Sequence, residues 1–298
     1  MIKSYNIIDD HDGMRVDRWI KKNIQNIPQS LIEKLLRSGK IKIDKKKVKS
    51  NFKLNLKNKI FTYNLNLENK TYKNIYNPSK KILRSNEKEI IYDNENYLVI
   101  NKKSGISVQS GTKSLKNLVD IYSKSKFFNK NKPYTVHRID KETSGVLIFA
   151  KNRKTAQLFT SLFRLRRIHK TYTAICFGEI LDKKGTWSSQ LVKYEGKKKI
   201  IENAITKFRV LNKNSKYSLV EFKPITGRKH QLRKQSLNAG HPIVGDNKYT
   251  FHKKNNKKLM LHASNIKFIL KEKKINHNAP LPDYFLEFAK ANYLNVLN

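Results

Sequence analysis

The 298-residue sequence contains a single cysteine, Cys176, together with only 11 glycines and 7 prolines. One cysteine excludes an intrachain disulfide framework and any zinc or iron–sulfur site built from several thiolates. The scarcity of glycine and proline excludes a low-complexity linker architecture. Long apolar runs are missing too, since a membrane helix needs roughly 20 such residues, and the N-terminus is too polar for a signal peptide. We therefore expect a soluble, cytoplasmic protein without a membrane partner.

Acidic residues are also scarce. The 64 Lys and Arg stand against 23 Asp and Glu, which gives a formal net charge of +41. Hydrophobic residues make up 38% and aromatics 10% of the chain, too much for a disordered polybasic tail. The length allows about two domains, each with its own core. This charge predicts binding to a polyanion, with nucleic acid ahead of an acidic membrane surface.

Residues 13–62 form the first predicted domain, with two amphipathic helices followed by short strands. The first helix begins near Val16, and the second is expected to start at Ser30, in a capping box with Glu33, and to end at Gly39. The segments IKID and KKKV predict a pair of strands around a turn. Basic side chains on this small unit predict a surface that follows phosphates. They are Arg15, Arg18, Lys34, Arg37, Lys40 and Lys42.

Residues 63–88 are polar and weakly periodic, which predicts a linker, and residues 89–298 form the second predicted domain. Strand and helix patterns mix there without a regular βαβ repeat. This favours an α+β fold with a largely antiparallel sheet. The strand patterns lie at 90–102, 146–150, 172–177, 204–210 and 219–222, and the helical ones at 115–123, 155–165, 230–239 and 284–289.

The most unusual polar segment is HRIDKETSG, directly before the apolar run VLIFA. A polar loop that enters a core strand places side chains at the rim of a pocket, held by rigid backbone. Asp140 is flanked by Arg138 and Lys141, which favour the ionised carboxylate of a nucleophile or base. The alternative is that Asp140 only caps a turn beside Thr143 and Ser144.

A second segment, PITGRKHQLR, places Arg228, His230 and Arg233 in the first turns of a helix. Cations there oppose the helix dipole, so we expect an anionic partner, either a phosphate or a carboxylate. No third ligand lies at suitable spacing from His230 and His241, so no metal site is predicted. Tyr172 follows a basic turn and is either a core residue or a platform for stacking on a base.

Five segments in this order, NKKSGISV, HRIDKETSG, KTY, PITGRKHQLR and GHPIVGDNKY, resemble the motif set of the RluA-class family of pseudouridine synthases. The basic unit near the N-terminus is similar to the S4 RNA-binding domain that precedes the catalytic domain in members acting on large-subunit ribosomal RNA. Residues 44 and 45 are Asp-Lys where S4 domains often have Asn-Gly. The resemblance runs from about residue 13 to residue 288.

The resemblance implies that uridine is isomerised to its C-glycoside isomer, without a cofactor or a metal. It implies that Asp140 is the catalytic aspartate, attacking either ribose C1′ or uracil C6, and that Arg233 is its partner. Tyr172 would pack on the target base, and Arg138 would hold open the surroundings of the target nucleotide. Further substrate contacts are expected from other residues of these motifs. They are His137, Thr143, Ser144, Gly145, Lys102, Arg228 and His230.

The implied partner is large-subunit ribosomal RNA or an assembly intermediate, bound by a monomer. Transfer RNA is an alternative substrate. A non-catalytic S4-type RNA-binding or ribosome-assembly protein would explain the charge but not HRIDKETSG together with PITGRKHQLR. An S4-bearing RNA methyltransferase would need a glycine-rich cofactor loop, which the sequence does not contain.

Overall fold

The computed structural model describes residues 2–65, 67, 76–111, 115–129, 131–195, 198–251 and 257–296. The chain divides into two compact units, an N-terminal unit of residues 1–75 and a C-terminal unit of residues 76–298. Of the predicted linker, residues 66 and 68–75 lie outside the described residues. Within the described ranges, no helix is long and apolar enough to cross a membrane.

The N-terminal unit consists of two helices and a small antiparallel sheet. Its elements are β1 (Ile2–Asn6), α1 (Val16–Asn23), α2 (Gln29–Ser38), β2 (Ile41–Ile43) and β3 (Lys59–Tyr63). The strand order is β1-β3-β2. The core of the unit is built around Trp19 and Ile20 of α1, Leu36 of α2 and Ile60 of β3, all buried. The Trp19 indole donates a hydrogen bond to His11 Nδ1 at 3.0 Å, so its one polar atom is satisfied.

The predicted capping box is wrong. Helix α2 begins at Gln29, and its N-cap is Pro28, two residues before the predicted N-cap Ser30, with no side-chain cap. Ser30 therefore lies inside the first turn. The Gln29 side chain is instead bonded to its neighbours, with its amide nitrogen 3.1 Å from Asp17 Oδ2 and 3.3 Å from Glu33 Oε1. The predicted end of the helix is confirmed, since Gly39 adopts a left-handed conformation with φ 77°.

The strand pairing predicted around residue 44 is also wrong, because IKID does not form its strand pair with KKKV. Strand β2 pairs with β3, whereas the KKKV segment contributes only a single bridge from Lys46 to Ile43. Asp44 and Lys45 both have positive φ, 47° and 62°, so the chain turns sharply there. The Asp44 carboxylate accepts a hydrogen bond from the Lys59 amide at 2.7 Å. This bond joins the turn to β3, and the segment that follows pairs with β2 only at the bridge between Lys46 and Ile43.

The C-terminal unit mixes helices with one large sheet. Its helices are α3 (Lys80–Glu87), α4 (Leu118–Tyr122), α5 (Arg153–Arg164), α6 (Gln231–Asn238) and α7 (Asp283–Ala291). Its strands are β4 (Ile90–Asp93), β5 (Tyr97–Lys102), β6 (Tyr134–Thr135), β7 (Ser144–Ala150), β8 (His169–Phe177), β9 (Lys184–Glu195), β10 (Lys198–Lys213), β11 (Tyr217–Pro224), β12 (Leu261–Leu270) and β13 (Lys273–Asn278). The strand order is β4-β5-β7-β12-β8-β11-β10-β9, with β13 beside β12 and β6 beside β7.

Antiparallel pairing dominates this sheet. Among the described residues, β7 and β12 form the one parallel pair between named strands. The predicted α+β class with a largely antiparallel sheet is therefore confirmed. Helix α3 departs from the prediction because it lies inside the segment expected to be a linker. Ser79 caps this helix, and Ile82 and Leu83 pack against a buried cluster of the C-terminal unit. The single cysteine, Cys176, is fully buried in β8.

The first residues of β7 are pressed against β12. Gly145 has φ 113°, a conformation that L side chains rarely adopt. A Cβ atom added at Gly145 would lie 2.2 Å from the carbonyl oxygen of Ala263. This close approach fixes the point at which the loop before β7 enters the sheet.

We predict that Gly145→Ala destabilises the protein by about 3 kcal/mol, because the new methyl group combines backbone strain with overpacking. Gly111→Ala is the matched control, since a Cβ at Gly111 meets no atom within 4 Å. Urea unfolding of both variants and of wild type checks the prediction. Equal urea midpoints for Gly145→Ala and Gly111→Ala would contradict the prediction, because the contact between β7 and β12 would then relax without a loss of stability.

Candidate active site

A cavity of about 670 Å³ opens in the C-terminal unit. It is lined by residues of the loop between β6 and β7, by the end of α5, by β8 and by residues 224–233. Eight of the residues predicted as site residues line it. They are His137, Arg138, Asp140, Thr143, Tyr172, Arg228, His230 and Arg233. Topology thus brings together segments that are almost a hundred residues apart.

Asp140 lies in the loop of residues 136–143, with its side chain 28% exposed. Its Oδ2 is 3.7 Å from Arg233 Nη1, and its Oδ1 is 3.6 Å from His230 Nε2. Both distances are longer than a hydrogen bond, so the carboxylate faces cationic and polar groups without being tied to them. The turn itself is closed by the backbone, where the Thr143 amide donates to the Asp140 carbonyl at 3.2 Å. The geometry therefore favours a reactive carboxylate over a turn cap.

Arg233 is held mainly by another carboxylate, that of Asp246. Arg233 Nε and Nη2 donate to Asp246 Oδ2 and Oδ1 at 2.6 and 2.8 Å, and both residues are buried. Asp246 Oδ1 also accepts the backbone amides of Lys248 and Tyr249, each at 2.9 Å. Burial by itself would raise the pKa of Asp246, but these hydrogen bonds hold that pKa below its usual value. Asp140 is thus a second, more distant partner of Arg233.

Sequence reasoning did not identify Asp246 as a site residue. It lies in the motif GHPIVGDNKY, which carried the resemblance, but its role depends on a contact with Arg233 that only the fold creates. The sequence did contain a signal for Asp246. A buried arginine requires a carboxylate partner, and this chain has few acidic residues that could provide it.

The cations at the start of α6 have carboxylate partners, as one of the two alternatives predicted. Arg228 Nη1 is 2.9 Å from Glu202 Oε1, in addition to the contacts of Arg233 with Asp246 and Asp140. A phosphate is therefore not needed to balance this helix start.

His230 sits at the N-cap of α6 in a left-handed conformation, with φ 54°. Its Nδ1 is 2.9 Å from the Tyr249 hydroxyl, which fixes the ring so that Nε2 points to Asp140. Burial lowers the pKa of His230, and the nearby cation of Arg233 lowers it further, although the charge of Asp140 opposes this. The imidazole is accordingly neutral at physiological pH.

Tyr172 combines the two roles that the sequence left open. Its ring packs against two buried clusters and also lines the cavity. Burial and the charge of Asp140 raise the pKa of Tyr172, so the phenol keeps its proton at neutral pH. His137, also on the wall, accepts the Ile148 amide through Nε2 at 2.9 Å and stacks on Phe163. Burial lowers the pKa of His137 to about 3, so this imidazole is neutral as well.

Three predicted substrate-contacting residues, Lys102, Ser144 and Gly145, are not on the described cavity wall. Lys102 is buried, and its Nζ donates to the carbonyl oxygens of Lys103, Ile106 and Lys141, each at 2.9 Å. Burial lowers the pKa of Lys102 to about 7, while the nearby charges of Glu142 and Asp140 oppose this effect. Its contacts hold the 136–143 loop rather than face the cavity.

Ser144 and Gly145 anchor the same loop where it enters β7. Ser144 Oγ is 2.8 Å from His262 Nδ1 and 3.1 Å from the Tyr284 hydroxyl. Gly145 makes the close approach to β12 described above. Substrate contact by these three residues stays a prediction, and the contacts described here give them a different part in the site. Each of them positions the backbone that carries Asp140.

Comparisons with known proteins agree with this geometry. Residues 96–238 match the RNA pseudouridylate synthase family. The ribosomal large subunit pseudouridine synthase C of Buchnera aphidicola subsp. Schizaphis graminum is 34% identical, over 98% of this chain and 96% of the relative. The protein of that name from Vibrio cholerae is 30% identical, over 94% and 93%. The structure of human RNA pseudouridylate synthase domain containing 4 superposes with a TM-score of 0.62 at 25% identity, covering 73% of this chain and 98% of the human chain.

Fold, cavity and relatives together define an enzyme that isomerises uridine in RNA. The chain belongs to the RluA-type pseudouridine synthase family.

We predict that Asp246→Asn destabilises the protein by about 3 kcal/mol, because the buried Arg233 guanidinium loses the charged partner that accepts its two short hydrogen bonds and keeps only the more distant Asp140. Asp182→Asn, at an exposed position, is the control and should change stability by less than about 0.5 kcal/mol. The destabilisation is largest at neutral pH. It shrinks as the pH falls through the lowered pKa of Asp246, where wild type loses the same charge. Urea unfolding at pH 7 and pH 3 measures both effects, and equal stability at pH 7 would contradict the assignment.

Proposed function

We propose that this protein converts uridines of large-subunit ribosomal RNA to pseudouridine, with Asp140 as the nucleophile. The observation that carries the proposal is the Asp140 carboxylate, partly exposed in the cavity and 3.7 Å from the Arg233 guanidinium. The ribosomal substrate is supported by the names of relatives that match more than nine tenths of the chain. Action on ribosomal RNA is consistent with a cytoplasmic monomer.

The reaction begins when the target uridine leaves its stack and enters the cavity, at a cost of about a few kcal/mol. The volume of about 670 Å³ suits a nucleoside and lies in the usual range for ligand sites. The Tyr172 ring lies on the wall, where it can pack on the base. Arg138, exposed at the rim, can occupy the space that the base vacates.

Asp140 then attacks ribose C1′ or uracil C6. Either route needs an ionised carboxylate, which the guanidinium of Arg233 favours. The glycosidic bond between C1′ and N1 breaks, the uracil turns, and a new bond forms between C1′ and C5. The bond between Asp140 and the substrate breaks, which restores the carboxylate. The C5 proton finally leaves to a base and N1 takes up a proton, so that the product is an isomer of uridine. Because burial and the charge of Asp140 raise the pKa of Tyr172, its phenol stays protonated at neutral pH and cannot accept the C5 proton, so its role is to support the ring.

We further propose that the N-terminal unit is an S4-like RNA-binding domain. Arg18, Lys34, Arg37 and Lys40 are exposed, as expected for phosphate contacts. Arg15 departs from this picture, because Nη2 is 2.6 Å from Asp17 Oδ2. Lys42 lies 5.1 Å from the centre of the Tyr63 ring. A basic hollow lined by Arg15, Arg37, Lys47 and Lys49 supports the assignment.

We predict that wild type releases tritium from C5-labelled uridine in protein-free large-subunit ribosomal RNA, and that Asp140→Asn lowers the rate by more than about 10³-fold. Glu142→Gln is the matched control, since it removes another exposed carboxylate of the same loop. Its rate should stay within about twofold of wild type. Tritium release from transfer RNA but not from ribosomal RNA would show that transfer RNA is the substrate instead. If no RNA releases tritium while binding is retained, the protein is a binding protein.

For the N-terminal unit, we predict that the triple variant Lys34→Gln, Arg37→Gln, Lys40→Gln binds ribosomal RNA more weakly. The slope of log affinity against log salt should fall by about 2 to 3, because three phosphate contacts are lost. A control triple variant, Lys3→Gln, Lys22→Gln, Lys59→Gln, removes the same charge from exposed positions elsewhere in this unit. Filter binding at several salt concentrations tests the difference. Equal slopes for the two triple variants would contradict the proposal, because only the net charge of the unit, and not the position of the three residues, would then affect RNA binding.

A further inference from the structure

Lys170 is a cation in the cavity without a counter-charge. It is half-buried on β8 and lines the cavity wall. Among the described residues, its ammonium group has no carboxylate or hydrogen-bond partner, whereas Arg228 and Arg233 are paired with Glu202 and Asp246. A partly buried charge without a partner is costly, so the site is incomplete without an anion.

The position of Lys170 relative to the proposed base platform is set by the strand. Ile168, Lys170 and Tyr172 all line the cavity, and Lys170 and Tyr172 are two residues apart on one face of β8. Their Cα atoms are therefore about 7 Å apart. That distance is similar to the span between the base and the phosphate of one nucleotide.

The Lys170 ammonium group lies next to Gly227. A Cβ atom placed at Gly227 would lie 3.6 Å from Lys170 Nζ, in ordinary van der Waals contact, so with glycine there no side chain of residue 227 covers the ammonium. Arg164 and Arg166 line the same region and are exposed. The cavity thus has a carboxylate, Asp140, on the 136–143 loop and a group of cations near the end of α5.

Burial lowers the pKa of Lys170. A bound phosphate would oppose this effect and keep the lysine charged, in agreement with the geometry.

We propose that Lys170 binds an RNA phosphate group adjacent to the target uridine, and that this contact seats the nucleotide with its base on Tyr172. This inference rests on the proposed function for the identity of the RNA. The contact that it assigns, between Lys170 and a bound phosphate, can be tested without measuring turnover.

The test uses the whole protein with ¹³C-labelled lysine side chains, observed by NMR. The Lys170 signal is identified by its absence in Lys170→Arg, and uridine 5′-monophosphate and uridine are titrated in parallel. We expect a saturable shift of the Lys170 signal with the monophosphate and none with uridine. Lys170→Met should weaken monophosphate binding at least about tenfold, as expected for the loss of a charge-assisted hydrogen bond. Lys207→Met, which removes an exposed lysine of β10 outside the cavity, should leave it unchanged.

Thermal unfolding separates binding from a structural role. Because its charge is unpaired, Lys170→Met should melt at or above the temperature of wild type. A lower melting temperature would assign Lys170 to folding, and an absent shift, or an equal shift with uridine, would overturn the phosphate site. Tritium release by wild type is measured alongside. Its absence would refute the proposed function while the phosphate result stands.

Discussion

The buried ion pair between Arg233 and Asp246 determines the electrostatics of the cavity. Removing both charges from water is costly, and the cost is offset by two short hydrogen bonds and by the two backbone amides that Asp246 accepts. The pair leaves one edge of the guanidinium, Nη1, facing Asp140. An arginine that donates to both oxygens of a carboxylate occupies lone pairs that a nucleophile needs. Asp246 accepts these two hydrogen bonds, and Asp140 does not. Asp140 therefore has a positive charge nearby while its own lone pairs stay free of that arginine.

The loop that carries Asp140 is anchored in the core directly after that residue. Lys102 donates to the Lys141 carbonyl, and Ser144 and Gly145 join the start of β7 to the sheet. None of these anchors lines the described wall of the cavity. The motif residues of this chain therefore divide into those that line the cavity and those that hold the cavity-lining loop in place. Sequence patterns show the two kinds together, and only the contacts distinguish them.

The α+β class and most helices of the C-terminal unit were predictable. Periodic apolar positions survive in α5 and α7, whereas α6 buries mostly polar residues and was predicted through its motif. Helix α3 was not, since its segment is polar and its few apolar residues become informative only once they pack. Strand β12 was missed for a related reason. His262 is fully buried in it, bonded to Ser144, which interrupts the apolar pattern of a central strand. Asp140 and Arg233 were predicted through motifs, whereas Asp246 and Lys170 gain their roles from tertiary neighbours that spacing does not reveal.

The burial of Cys176 in the core of β8 has a practical consequence. Burial raises the pKa of its thiol to about 12, so the native chain has almost no reactive thiolate. A cysteine introduced on the surface would then be the single reactive thiol in the protein. One fluorophore placed on each unit in turn could follow the approach of RNA to the N-terminal and C-terminal units separately, without first removing any native residue.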